Sequence, residues 1–257
     1  MRFSKWHALG NSYLLVERAE LGRPLDGERA RLLCDVRYGI GADGVVEVVR
    51  ADGVAADVAI WNPDGSLAEF SGNGTRIAAM WLSRRNAVDA VVVAVDGRSH
   101  AARLRPDGRI EMDVGTVDVG ETFTLELAEE RVELTPVSVG NPHAVVRRRD
   151  ASREDLLRLG PLIEMHDRFP GRTNVQLVTV DDLRAVTALV WERGAGETSA
   201  SGSSAVAVAG AAVVSGWCES PVAVRMPGGE LEVELDAENR ATLTGPAEQI
   251  CTGETAS

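Results

Sequence analysis

The stretch Ala68-Glu69-Phe70-Ser71-Gly72-Asn73-Gly74-Thr75-Arg76-Ile77-Ala78-Ala79 has a counterpart in Thr198-Ser199-Ala200-Ser201-Gly202-Ser203-Ser204-Ala205-Val206-Ala207-Val208-Ala209. In each, a Ser-Gly pair sits in a turn of small residues that feeds an apolar run. Ser71 and Ser201 lie 130 positions apart in a chain of 257 residues. The apolar runs predict helices over Thr75–Ser83 and Ala205–Ser215. Ala, Val, Ile and Leu cover nearly all their faces, which suits a helix enclosed by a sheet or barrel. A repeat at half the chain length predicts two similar units, each built round one such helix.

The rest of the chain is strand-rich. Phe3–Ala8, Tyr13–Glu17, Val45–Arg50, Ala56–Trp61, Val91–Val95, Ala101–Leu104 and Ile110–Val114 are short β-favouring runs bounded by Gly, Asp or Pro. Asp96-Gly97 and Asp107-Gly108 read as hairpin turns. The second half continues with Phe123–Leu127, Arg131–Val139, His143–Arg147, Asn174–Thr179, Ala185–Trp191, Val222–Arg225, Glu230–Leu235 and Ala241–Thr244. Two more helices are expected. Asp26–Arg37 carries Ala30, Leu33 and Cys34 at helical spacing, and Ser152–Leu159 opens with a Ser152/Asp155 capping pair. The predicted fold class is α+β: two pseudo-symmetric domains, each a curved, mostly antiparallel sheet or barrel round a central buried helix. The expected boundaries are 1–116 and 117–250, joined through the polar, Gly-bounded Gly115–Gly120, with 251–257 as a tail.

Composition narrows the chemistry. Hydrophobic residues make up 44% and charged residues 26%, as in an ordinary globular protein. No apolar run reaches 18 residues, so no membrane span is expected. Met1-Arg2-Phe3-Ser4-Lys5-Trp6-His7 lacks the apolar core of a signal peptide, which predicts a cytoplasmic protein. With 27 Lys+Arg against 39 Asp+Glu the net charge is −12, a surface that repels nucleic-acid phosphates. Arg147-Arg148-Arg149 reads as a solvated edge. Cys34, Cys218 and Cys251 are sparse and odd in number, as expected of reduced thiols. Lys5 is the only lysine. A pyridoxal-phosphate Schiff base and a Walker A loop both require a well-placed lysine, so both are disfavoured. His7, His100, His143 and His166 are scattered without zinc-site spacing. No cofactor and no metal is expected.

The two Ser-Gly turns suggest a reaction. A helix N-terminus with exposed N–H groups binds anions, and glycine lets a ligand approach the backbone. Two such termini facing one cleft would hold a carboxylate and place Ser71 and Ser201 on opposite faces of the ligand. That suits an enzyme that removes a proton from one face and returns one to the other. A pair of ordinary helix caps explains the same residues. Asn11, Asn62, Asn141 and Asn174 stand at strand ends and read either as turn residues or as a polar amino-acid site. Arg193 can clamp a carboxylate and Glu192 can take an ammonium. His143 is either a core histidine or an acid/base residue.

Eight motifs then occur in order: His7-Ala8-Leu9-Gly10-Asn11, Gly39-Ile40-Gly41-Ala42-Asp43-Gly44, Asn62-Pro63-Asp64-Gly65-Ser66, Ser71-Gly72-Asn73-Gly74-Thr75-Arg76, Gly140-Asn141-Pro142-His143, Asn174-Val175, Glu192-Arg193-Gly194-Ala195-Gly196-Glu197-Thr198, and Ala200-Ser201-Gly202. With these the chain resembles the diaminopimelate epimerase family over essentially its whole length. The resemblance implies two pseudo-symmetric domains closing over one substrate. It implies cofactor-independent inversion at one α-carbon of LL-diaminopimelate, giving the meso form for lysine and cell-wall synthesis. Substrate contacts would fall on Asn11, Asn62, Gly72, Asn73, Asn141, Asn174, Glu192, Arg193, Gly202 and Ser203. The partner is a small diamino acid, with no nucleic acid and no membrane; a homodimer is left open.

One departure matters. In the family, cysteines at the positions of Ser71 and Ser201 form the acid/base pair. A thiol titrates near 8.5 and a hydroxyl near the 15.7 of water, so the base costs roughly 10 kcal/mol more to form. A helix N-terminus recovers about 0.3–2 kcal/mol of that. Either His143 or Glu192 activates serine, or turnover is very slow, or the chain no longer epimerises. The second motif also carries Ser203-Ser204 for the usual Thr-Gly, and Val206 where a further cysteine is common. The alternatives are another isomerase or racemase of a related amino acid on the same fold, and a catalytically silent amino-acid-binding homologue.

Overall fold

The computed structural model describes residues 1–128 and 130–255. The chain divides into two units. Unit 1 is Met1–Asp113 with the C-terminal residues from Thr244 on, and unit 2 is Val114–Leu243.

Unit 1 contains β1 (Arg2–Ala8), β2 (Asn11–Glu17), α1 (Gly27–Cys34), β3 (Val45–Asp52), β4 (Ala55–Trp61), α2 (Gly72–Asn86), β5 (Ala90–Val95) and β6 (Arg98–Leu104), and β7 (Ile110–Thr116) carries the chain out of it. β1–β2 and β3–β4 pair antiparallel, as do β5–β6 and β6–β7, whereas β2–β3 and β4–β5 are parallel. A parallel join needs a crossover, and α1 and α2 are those crossovers.

Unit 2 contains β8 (Asp118–Val119), β9 (Phe123–Glu126), β10 (Arg131–Ser138), β11 (Pro142–Arg147), α3 (Arg153–Glu164), β12 (Asn174–Asp182), β13 (Ala185–Glu192), β14 (Gly196–Thr198), α4 (Gly202–Val214), β15 (Val222–Met226) and β16 (Gly229–Leu235), with β17 (Arg240–Gly245) leading out. Here too β10–β11, β12–β13 and β15–β16 are antiparallel, and β11–β12 and β13–β15 are parallel. The alternation of unit 1 recurs, with α3 and α4 as crossovers. Even the irregularities match. The β3–β4 ladder slips between Val48 and Arg50, and the β12–β13 ladder slips between Val180 and Asp182.

Both central helices start three residues earlier than the apolar pattern predicts, at Gly72 and Gly202. The Ser-Gly turns are therefore the helices' first turns, with Ser71 and Ser201 as N-caps. Ser71 holds extended backbone and its hydroxyl accepts the Gly74 N–H, a normal cap. α2 is buried from Gly72 through Met80 and is packed against β1, β3, β4, β5 and β6. α4 is buried from Gly202 through Ala212 and is packed against β10 to β13, β15 and β16. The enclosed helix read from composition is thus present in each unit. α1 spans Gly27–Cys34, shorter than Asp26–Arg37, with Asp26 as its cap. α3 runs on to Glu164.

Two stretches differ from expectation. Gly115–Gly120 contains β8, in which Asp118 and Val119 pair with Ser138 and Val137 of β10. Most of the expected 251–257 tail belongs to β18 (Glu248–Glu254), which pairs antiparallel with β1 from Arg2↔Glu254 to His7↔Glu248. Without it, one edge of β1 would leave its backbone N–H and C=O groups unpaired. Residues 256 and 257 lie outside the described residues. Among the described residues no helix is long and apolar enough to cross a membrane.

One contact in unit 2 links the core to the strand that carries Glu192. A Cβ at Gly160 of α3 would lie 2.7 Å from the Trp191 ring, at its rigid Cγ end. Gly160→Ala would gain about 1 kcal/mol of helix propensity but displace that ring. We expect a net loss of about 1–3 kcal/mol, the usual cost of overpacking. Urea denaturation checks this, and an unchanged or raised midpoint would refute the packing assignment.

Candidate active site

In unit 1 the predicted residues gather at the start of α2. The Ser71 hydroxyl caps the helix and lies 3.1 Å from the Tyr13 hydroxyl of β2. Asn73 donates to Asn11 Oδ1 at 3.2 Å and accepts from Arg76 at 2.7 Å. Arg76 also donates to the Gly72 carbonyl at 3.0 Å. Gly72, Asn73 and Arg76 are all buried. Burial pulls the Arg76 guanidinium down to about 10, opposed by Tyr13. Asn62 is occupied differently. Its carboxamide donates to the Ser66 hydroxyl at 3.0 Å and its backbone N–H to the Ser66 carbonyl at 2.8 Å, which closes the turn after β4.

In unit 2 the residues form two groups. His143, buried on β11, donates or accepts at both ring nitrogens. Nε2 lies 3.0 Å from Asn141 Oδ1, and Nδ1 lies 3.0 Å from the Gln176 amide nitrogen. An acceptor at Nε2 and a donor at Nδ1 assign the proton to Nε2. Gln176 donates onward to the Ser204 hydroxyl of α4 at 2.9 Å. The second group holds the loop after β13. Asn174 accepts the Arg193 N–H at 3.0 Å and donates to the Pro142 carbonyl at 2.9 Å. Glu192 accepts the Thr198 hydroxyl at 2.8 Å, and the Arg193 guanidinium reaches the Gly171 carbonyl at 3.3 Å. Ser201 is buried, and its hydroxyl makes no cap to α4. Gly202 and Ser203 follow as the first buried residues of that helix.

None of the three thiols lies in either Ser-Gly turn. Burial pushes Cys34 up to about 11 and raises Cys218, whereas Cys251 is exposed on β18. Among the described residues no cluster of His, Cys, Asp and Glu could hold a metal ion.

Comparison with known proteins decides the family. The family profile for diaminopimelate epimerase matches residues 3–120 and 135–250. A diaminopimelate epimerase of Magnetococcus marinus is 35% identical over 271 residues, spanning 98% of this chain and 96% of its own. One from Desulforudis audaxviator is 36% identical over 275 residues, spanning 98% of each chain. This chain belongs to the diaminopimelate epimerase family. Among solved structures, a predicted epimerase of Pseudomonas aeruginosa superposes with a TM-score of 0.76 at 19% identity, over 100% of this chain and 99% of that one. A probable proline racemase of Agrobacterium radiobacter does so with 0.75 at 16% identity, over 99% and 92%. These two share the fold.

Within this epimerase-family fold, sequence reasoning passed over Tyr13, Arg76, Gln176 and Ser204. It also passed over two buried carboxylates that anchor the loops. Glu47 accepts from the Trp61 indole at 3.2 Å and from Arg18 at 2.8 Å. Glu164 accepts from the Trp191 indole at 2.7 Å and from the Gly194 N–H at 2.8 Å, and it pairs with Arg172. A signal was present: Trp61-Asn62 and Trp191-Glu192 are also 130 positions apart, the offset of the two serines.

The expected acid/base role of His143 does not match its surroundings. Burial, then the charge of Arg193, push its imidazole down to about 3 against a hydrogen bond from Gln176. It is neutral at working pH and fixes the Asn141 carboxamide. Unfolded, the ring takes up a proton near 6.5; folded, it does so near 3. Stability is therefore full above 6.5 and declines as the pH falls below it. Between pH 7 and 5 the wild-type chain should lose about 2 kcal/mol more than His143→Gln, read from urea midpoints. Equal losses would place a protonated or exposed imidazole at this position.

Proposed function

We propose that this chain epimerises LL-2,6-diaminopimelate to the meso form without pyridoxal phosphate, with Ser71 and Ser201 at the two acid/base positions. The observation that carries the reading is that each serine is the N-cap of an enclosed helix, within the stretches that match the family. The first-turn N–H groups beyond each serine supply positive potential where negative charge grows on the substrate carboxylate as the α-proton leaves. Asn11 and Asn73 brace one turn. Asn141, oriented by His143, and Gly202 with Ser203 serve the other. Asn174 holds the backbone of Arg193, whose guanidinium takes the distal carboxylate. Glu192, kept in place by Thr198, takes the distal ammonium. The reaction requires no metal or organic cofactor, and a cytoplasmic setting fits a free amino-acid substrate.

Serine at both positions, where the family has cysteine, favours a second reading: a homologue that binds the amino acid and does not turn it over. Exchange of the α-proton of LL-diaminopimelate in D₂O, followed by NMR, separates the two. The unmodified chain should exchange measurably above the uncatalysed rate. Ser71→Cys/Ser201→Cys should be roughly 10²–10⁴-fold faster, the usual contribution of a competent acid/base group. Tight binding without exchange in both proteins would establish the binding reading. Neither binding nor exchange would overturn both readings and assign another substrate.

A further inference from the structure

We propose that Tyr13 is the proton partner of Ser71, so that a phenolate rather than a serine alkoxide carries the charge of the base. The inference rests on the epimerase reading above and adds a residue to it. Tyr13 is buried on β2, with its Oη 3.1 Å from Ser71 Oγ. The position of its ring is fixed: a Cβ at Gly44 would lie 2.4 Å from Tyr13 Cε1, so only glycine leaves room for the ring as it stands. Ser71 Oγ already accepts the Gly74 N–H at 3.1 Å. One hydroxyl proton and one lone pair remain, enough to donate to Tyr13 and accept from a carbon acid at the same time.

The electrostatic setting supports a negative charge on that pair. Arg76 follows on the same helix and is wholly buried. Its hydrogen bonds go to the Gly72 carbonyl and to Asn73, and among the described residues no carboxylate pairs with it. An uncompensated buried cation and a helix N-terminus both favour an anion beside them. A phenol titrates near 10 and a hydroxyl near 15.7, so the phenolate is available at roughly six orders of magnitude less cost.

The step balances. Ser71 Oγ takes the α-proton while its own proton passes to the Tyr13 phenolate. The Cα–H bond and the old Ser71 O–H bond break, and a new Ser71 O–H bond and the Tyr13 O–H bond form. The electron pair left on Cα spreads into the adjacent carboxyl. In the reverse direction Tyr13 returns its proton to Ser71 as Ser71 protonates the carbon. Tyr13 touches no substrate and acts only through Ser71.

The test compares Tyr13→Phe in the unmodified chain and in Ser71→Cys/Ser201→Cys, with α-proton exchange in D₂O as readout. A thiolate forms without help, so the cost of losing the phenol should depend on the background. In the serine background exchange should fall by about 10²-fold or more, the contribution of a positioned proton-transfer group, with the loss in turnover and not in KM. The loss in the cysteine background should be at least tenfold smaller. Equal losses in both backgrounds would make Tyr13 structural and overturn the relay, as would no loss in the serine background. If the unmodified chain is silent and the cysteine protein exchanges, the relay and serine-based turnover both fail and only the amino-acid site stands. If neither exchanges, both fail.

Discussion

Everything in this structure depends on where two helices begin. The first turn of α2 and the first turn of α4 are buried, yet a helix start leaves N–H groups without intrahelical partners. Such groups are costly in an interior unless a cap, water or ligand meets them. α2 meets part of that demand with the Ser71 hydroxyl. The Ser201 hydroxyl leaves the start of α4 uncapped. A chain selected only for stability would move these turns to the surface or cap both of them. Keeping two polar helix starts inside apolar sheets makes sense where an anionic group is to be bound.

The surrounding polar residues are rigidly supported. In each unit a buried glutamate holds a tryptophan indole at the end of a strand, and the next residue faces the start of a polar loop: Glu47 with Trp61 and Asn62, Glu164 with Trp191 and Glu192. The carboxylates themselves are satisfied by Arg18 and Arg172. A buried charge that lost one of these partners would be strongly destabilising. The loops are therefore fixed by hydrogen bonds to buried carboxylates, and Asn174 holds the backbone of Arg193 in a similar way. His143 belongs to the same supporting layer. Burial keeps its imidazole neutral, and its Nε2–H donates to Asn141.

Much of the fold was legible because the repeat is local and periodic. The expected strands fell within three residues of their places, and the cap of α3 was readable at Ser152. The starts of α2 and α4 were misplaced because Gly and Ser favour turns, and only the enclosing sheet makes them helical. β18 was hidden because its Glu248–Glu254 stretch is exposed and lacks alternation, so its existence depends on β1 needing a neighbour. The site was half legible. Ser71, Asn11 and Asn73 could be named from residue type, but Tyr13 reaches Ser71 across 58 positions of chain, and no spacing rule connects them. The role of His143 was unreadable for the same reason: burial and Gln176 set it, and neither is encoded near Asn141-Pro142-His143.

The central claim is that the two helix starts are where the amino acid binds. The direct measurement is a ¹⁵N amide NMR titration of the unmodified chain with LL-diaminopimelate, which does not depend on turnover. The account predicts saturable shifts in Gly72, Asn73 and Gly74 and in Gly202, Ser203 and Ser204. Shifts confined to other regions would contradict it.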